Sequence, residues 1–145
     1  MSPLNIGLEN SRRLRALPVY SSLMAYGSDG YRDMLGRQVT LARGIAEWLL
    51  DSEDFELLPK LTRSRNEVLS KMFIIVLFKA KNEMLNKDLV DRIKATRKIQ
   101  LSGTEWEGKP AARFAVSNWK ADIKKDLPVI KQVLGGVVAT WKLER

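Results

Sequence analysis

The chain has 145 residues, 45% of them hydrophobic and 29% charged, with a net charge of +8, no cysteine and no histidine. That balance fits one compact soluble domain rather than a disordered segment. The missing residue types exclude disulfides, thiolate chemistry, Ser-His-Asp and Cys-His catalytic arrangements, and zinc sites built on His and Cys.

Residues 1–9 read as an irregular lead-in with no basic stretch followed by an apolar run, so no secretory signal is expected. Ser11 is placed to cap a helix reaching about Tyr26, with Leu14, Leu17 and Met24 at helical spacing. Pro18 disturbs that helix and predicts a kink or a late start. Gly27-Ser-Asp-Gly30 predicts a break, with Ser28 or Asp29 capping the next helix. In that helix Tyr31, Leu35, Gln38, Ala42, Ile45 and Leu49 fall on one stripe, flanked by Met34, Leu41 and Trp48. Met34 and Trp48 read as core rather than as part of a cofactor box.

Phe55 to Leu58 reads as a short strand ended by Pro59, and 60–71 as a polar, mobile, basic loop. Met72 to Lys79 is the strongest strand; its continuous apolar middle predicts cover on both faces. The run is far too short to cross a bilayer, so no membrane partner is expected and the cytoplasm is the expected location. Asn86 is read as the N-cap of a helix reaching Thr96. Ile99 to Trp106 and Ala111 to Asn118 read as a hairpin turned by Glu107-Gly-Lys-Pro110. Ile123, Leu127, Ile130, Leu134, Val137 and Trp141 share the stripe of a closing helix, weakened by Pro128 and Gly135-Gly136. The predicted class is α+β: a small antiparallel or mixed sheet of about four strands covered by helices. No strand leads into a glycine-rich phosphate loop, which removes Rossmann and P-loop readings.

The positive charge would suit a polyanion. It is scattered, however, over Arg12, Arg13 and Arg15 and over Lys60, Arg63, Arg65 and Lys71, without a continuous tract or an interleaved aromatic. A solvated basic surface is the reading adopted, and nucleic acid is not an expected partner. Nothing marks the acidic residues near Asp51, Glu53 and Asp54 as acid–base partners.

Arg113, in Lys109-Pro-Ala-Ala-Arg-Phe-Ala-Val-Ser-Asn118, stands among apolar strand residues. Alternation places it with Ala111, Ala115 and Ser117, opposite Phe114 and Val116. By pattern alone it is an arginine on the solvent face of a half-buried sheet.

Several blocks change that reading. Asn10 to Leu35, Phe73 to Phe78, Asn86 to Thr96, Leu101 to Trp106 and the Arg-Phe-Ala-Val-Ser-Asn run occur in an order that resembles the pyridoxal-phosphate-dependent group II decarboxylases, the aromatic-L-amino-acid and glutamate decarboxylase family. The resemblance implies a sheet-and-helix fold like the C-terminal domain of fold-type I pyridoxal-phosphate enzymes. Residues 1–26 would match the end of the large domain and 27–145 the C-terminal small domain. The family's cofactor lysine sits in a His-Lys setting upstream of these blocks, so this chain is expected to hold no catalytic, cofactor-binding or metal-binding residue and to be inactive alone.

Arg113 matches the family's arginine that helps bind the substrate carboxylate and is the sole site residue transferred; Ser117 and Asn118 receive no role, and Arg12 and Arg13 are read as structural. The implied partners are a missing large domain or a homodimer partner, and an amino-acid substrate in the parent enzyme, with the aromatic branch nearer. A non-catalytic interaction protein derived from the same domain is the alternative, with the helix around Leu14, Leu17 and Tyr20 as its contact; a basic nucleic-acid module ranks below both.

Overall fold

A computed structural model describes residues 16–60 and 64–144. The chain divides into two compact units, Met1–Asp33 and Met34–Arg145.

The described part of the first unit is helical and belongs to α1 (Ala16–Leu50). Pro18 sits in the first turn, where its missing N–H interrupts no intrahelical bond. Ser11, Arg12, Arg13 and Leu14 lie outside the described residues. The expected break over 27–30 is confined to one residue: Gly27 takes φ 63° and ψ −174°, while Ser28, Asp29 and Gly30 are helical. Glycine alone among them adopts positive φ without steric cost. No residue from 16 to 33 is buried, and Leu17, Val19, Tyr20, Leu23, Met24 and Tyr26 are exposed.

The second unit contains the remainder of α1, then β1 (Phe55–Leu58), α2 (Arg65–Lys71), β2 (Ile75–Ala80), α3 (Glu83–Ala95), β3 (Ser102–Trp106), β4 (Lys109–Ala115) and α4 (Ile123–Leu143). The four strands form one antiparallel sheet in the order β1-β2-β4-β3. This is the expected α+β class. The inward positions Phe55, Leu57, Val76, Phe78, Ala112 and Phe114 join Ile45 and Leu49 of α1, Leu85, Leu89 and Ile93 of α3, and Leu134 and Val138 of α4 in one core. Phe78 is its hub, stacked on Phe114 at 5.3 Å and edge-on to Phe55 at 5.8 Å. Gln38, on the predicted stripe, is buried and donates from Nε2 to the Asn118 carbonyl at 3.2 Å.

Several expectations need correction. The strand predicted to be covered twice is covered once: Val76, Phe78 and Ala80 are buried, whereas Ile75 is exposed and Leu77 half-buried. The basic loop contains a helix, α2, because Ser64 accepts the Glu67 N–H as N-cap and Arg43 of α1 donates to the carbonyls of Ser70 and Met72 at the other end.

The N-cap of α3 is Asn82, whose side chain accepts from the N–H groups of Met84 and Leu85. Asn86 lies within the helix and bonds elsewhere: its Oδ1 accepts from the Ala80 N–H at 2.9 Å and its Nδ2 donates to the Pro110 carbonyl at 2.8 Å.

The hairpin turn is two residues, not four. Glu107 (φ 51°) and Gly108 (φ 73°) both take the left-handed backbone of a type I′ turn, so Lys109 and Pro110 belong to the strand. Helix α4 starts at Ile123 and runs through Pro128. Reciprocal bonds fix its start: Asp122 accepts from the Lys124 N–H, and Asp126 accepts from the Asp122 N–H, each at 2.9 Å. No helix among the described residues is long and apolar enough to cross a membrane.

Candidate functional site

Because α1, α3 and α4 pack on one face of the sheet, alternation sets a second face apart, on which Leu58 and Ala111 are buried, Leu77 and Lys79 half-buried, and Arg113 exposed. Register defines what stands there. Leu58 pairs with Leu77, Leu77 with Arg113, and Arg113 with Ser102, giving one row across all four strands. The next row begins with Glu56 opposite Lys79 and ends with Thr104 opposite Ala111.

Arg113 is exposed and, among the described residues, has no hydrogen bond or ion pair with a side-chain carboxylate. Its neighbours toward β2 are apolar, Leu77 across the strand pair, then Ala115 and the 41%-exposed Ile75 one step along, while Ser102 stands opposite it on β3. A guanidinium so placed offers a planar fork of donors to an incoming carboxylate while its stem rests on hydrocarbon.

The acid of this face is engaged elsewhere. Glu56 pairs with the Lys79 ammonium at 3.2 Å and lies 3.9 Å from that of Lys60. These groups line a hollow of about 250 Å³ with Leu58, Trp106 and Lys109. Sequence reading did not single out Glu56 or Lys79. Opposite charges in two neighbouring strands were the available signal, but only the register shows that they meet.

The other predicted features fall away from this face. Asn118 uses its side chain to accept the Lys120 N–H and its carbonyl to accept Gln38, a structural role. Two cations of the basic segment after β1 are paired within the chain. Arg65 grips Asp51 with NH1–Oδ1 at 2.6 Å and NH2–Oδ2 at 2.9 Å, and Lys71 pairs with Glu67 at 2.9 Å. The hydrogen bonds and charge of Arg65 hold the Asp51 carboxyl below the usual carboxylate range.

No protein-family model matches the chain. Tyrosine decarboxylase 2 of Arabidopsis thaliana is 30% identical over 115 residues, which cover 73% of this chain and 19% of that protein. Tryptophan decarboxylase 2 of Oryza sativa is 29% identical over 113 residues, 72% of this chain and 21% of that one. The crystal structure of Catharanthus roseus tryptophan decarboxylase in complex with L-tryptophan superposes with a TM-score of 0.68 at 22% identity, covering 88% of this chain and 27% of that one. The chain belongs to the pyridoxal-phosphate-dependent group II decarboxylase family. It spans about a fifth of the length of the curated family members it matches.

The described residues do not by themselves fit the family's cofactor. A cofactor lysine needs its amine free to form a covalent bond in an enclosed pocket. The lysine drawn down onto the open face, Lys79, has its ammonium on Glu56, and the other described lysines are exposed.

Proposed function

We propose that this chain acts as the C-terminal domain of an amino-acid decarboxylase of the aromatic type. Its open sheet face adjoins a larger domain bearing pyridoxal phosphate and the cofactor lysine. In this reading residues 1–26 continue the large domain and 27–145 form the small one. Arg113 binds the carboxylate of the amino-acid substrate, and the chain alone, kept in the cytoplasm, is inactive. The observation that supports this most is the exposed guanidinium of Arg113, without a carboxylate partner among the described residues, on the sheet face away from the helices.

The test has two arms. In the isolated chain, Arg113→Ala should leave the melting temperature unchanged. In an enzyme that joins this chain to a complete cofactor domain, the same substitution should lower kcat/KM about 100-fold, as removal of one partner of a desolvated charge pair does, with Arg113→Lys in between. An unchanged kcat/KM in Arg113→Ala would end the assignment. Stoichiometric borohydride trapping of pyridoxal phosphate on one lysine of the isolated chain would end the proposal that it is inactive alone.

A second reading, as a non-catalytic interaction protein, draws support from the exposed Leu17, Val19, Tyr20, Leu23, Met24 and Tyr26. Contiguous exposed apolar groups of this kind favour association with a second copy or with a longer family member. Sedimentation decides it: a monomer that Leu17→Asp leaves unchanged would remove this reading.

A further inference from the structure

We infer that Lys79 is a positioning residue whose task is to keep Arg113 free by occupying Glu56. This rests on the reading of Arg113 as a carboxylate binder and adds the means by which the chain leaves that arginine available.

Glu56 and Arg113 stand on the same face, two strand spacings apart and two residues out of step. With neighbouring strands about 4.8 Å apart and about 3.4 Å per residue along each, their Cα atoms are about 12 Å from one another. An extended glutamate and an extended arginine can close that gap. The other acid beside the hollow, Glu107, lies in the hairpin turn at the far end of the sheet from Arg113. Of the two acids that line the hollow, Glu56 is therefore the better placed to compete with a substrate carboxylate.

Its side chain is only 24% exposed, so its charge requires a partner. Lys79, itself 28% exposed and directly opposite in the register, supplies that partner at 3.2 Å. Lys60 contributes little restraint: it is 87% exposed and 3.9 Å away, the kind of contact that solvent and salt weaken. Without Lys79, the half-buried carboxylate is left with Lys60, Lys109, which lines the same hollow, and Arg113; of these, only the guanidinium of Arg113 has a fork that takes both of its oxygens. The chain would then satisfy its own binding arginine.

The experiment uses the 145-residue chain and the Nε–H NMR resonance of Arg113, identified by its loss in Arg113→Lys. In the native chain this resonance should move when acetate is titrated at constant ionic strength. Lys79→Met should shift it downfield before any acetate is added and abolish most of its response. Adding Glu56→Gln to Lys79→Met should restore both the native position and the response, and Lys79→Arg should keep them. A purely structural role for Lys79 would not be repaired by changing Glu56. An Arg113 resonance that is unaltered in Lys79→Met, or altered but not restored by Glu56→Gln, would overturn the inference. A native chain that ignores acetate would instead count against Arg113 as a carboxylate binder, while the shift in Lys79→Met would still report on the Glu56 contact.

Discussion

Asn86 and Pro110 are joined by a hydrogen bond of 2.8 Å that ties the second turn of α3 to the start of β4, while the same Asn86 side chain accepts the last N–H of β2. One amide thus fastens a helix to two strands. Asn86→Ala leaves a backbone donor and a backbone acceptor without partners and should lower stability by about 1–3 kcal/mol in urea unfolding. A change within error would show that water replaces both bonds at no cost.

Phe78 is fully buried between Phe55 and Phe114. Phe78→Ala should cost about 3–5 kcal/mol, a large part of the total stability of a domain this size. Phe78→Leu should cost less, since it keeps most of the hydrocarbon. Chemical denaturation of the two variants checks the order as well as the size.

Three helix glycines predict a ranking. A Cβ at Gly44 would sit 2.8 Å from Ile123 Cδ1 and 3.3 Å from Leu127 Cδ2, so Gly44→Ala must displace those side-chain ends and should give a lower melting temperature than alanine at an open helix position. A Cβ at Gly135 or Gly136 meets nothing within 4 Å. Each of Gly135→Ala and Gly136→Ala should therefore stabilise α4, by about 0.5–1 kcal/mol. A Gly44→Ala melting temperature as high as that of either α4 variant would contradict these assignments.

The pair between Arg65 and Asp51 predicts a pH effect. Asp51 has a folded-state pKa below its unfolded value, so its contribution is complete above the ordinary aspartate range, near pH about 4. That contribution is lost as the pH falls through the depressed value. A ¹³C carboxyl titration should find Asp51 below the ordinary aspartate range, and Arg65→Gln should raise it. Added salt should narrow the difference, because the pair is exposed.

The stripes over 38–49 and 123–141 were legible because an amphipathic helix needs no distant information to reveal its period. The four strands were legible for a similar reason. Helix α2 was not: its seven residues have no buried side chain, and its anchor on Arg43 is a contact 27 residues away in sequence. Asn82 and Asn86 are both good caps locally, and the choice between them was made by the Pro110 carbonyl, 24 residues from Asn86. Arg113 could be assigned to its strand face by alternation. Its lack of a carboxylate partner could not be read, since only the register shows that Glu56 of the same face meets a lysine 23 positions further along the chain.

Strand β4 lies inside the sheet, hydrogen-bonded to β2 on one side and β3 on the other. Arg113 accordingly joins two extremes at a single residue. Its main chain is held by neighbours on both flanks, while its guanidinium stands exposed at the end of a flexible stem, without a carboxylate partner among the described residues. Any anion that engages it meets a mooring whose base does not drift, and the ordering required on contact is confined to one side chain.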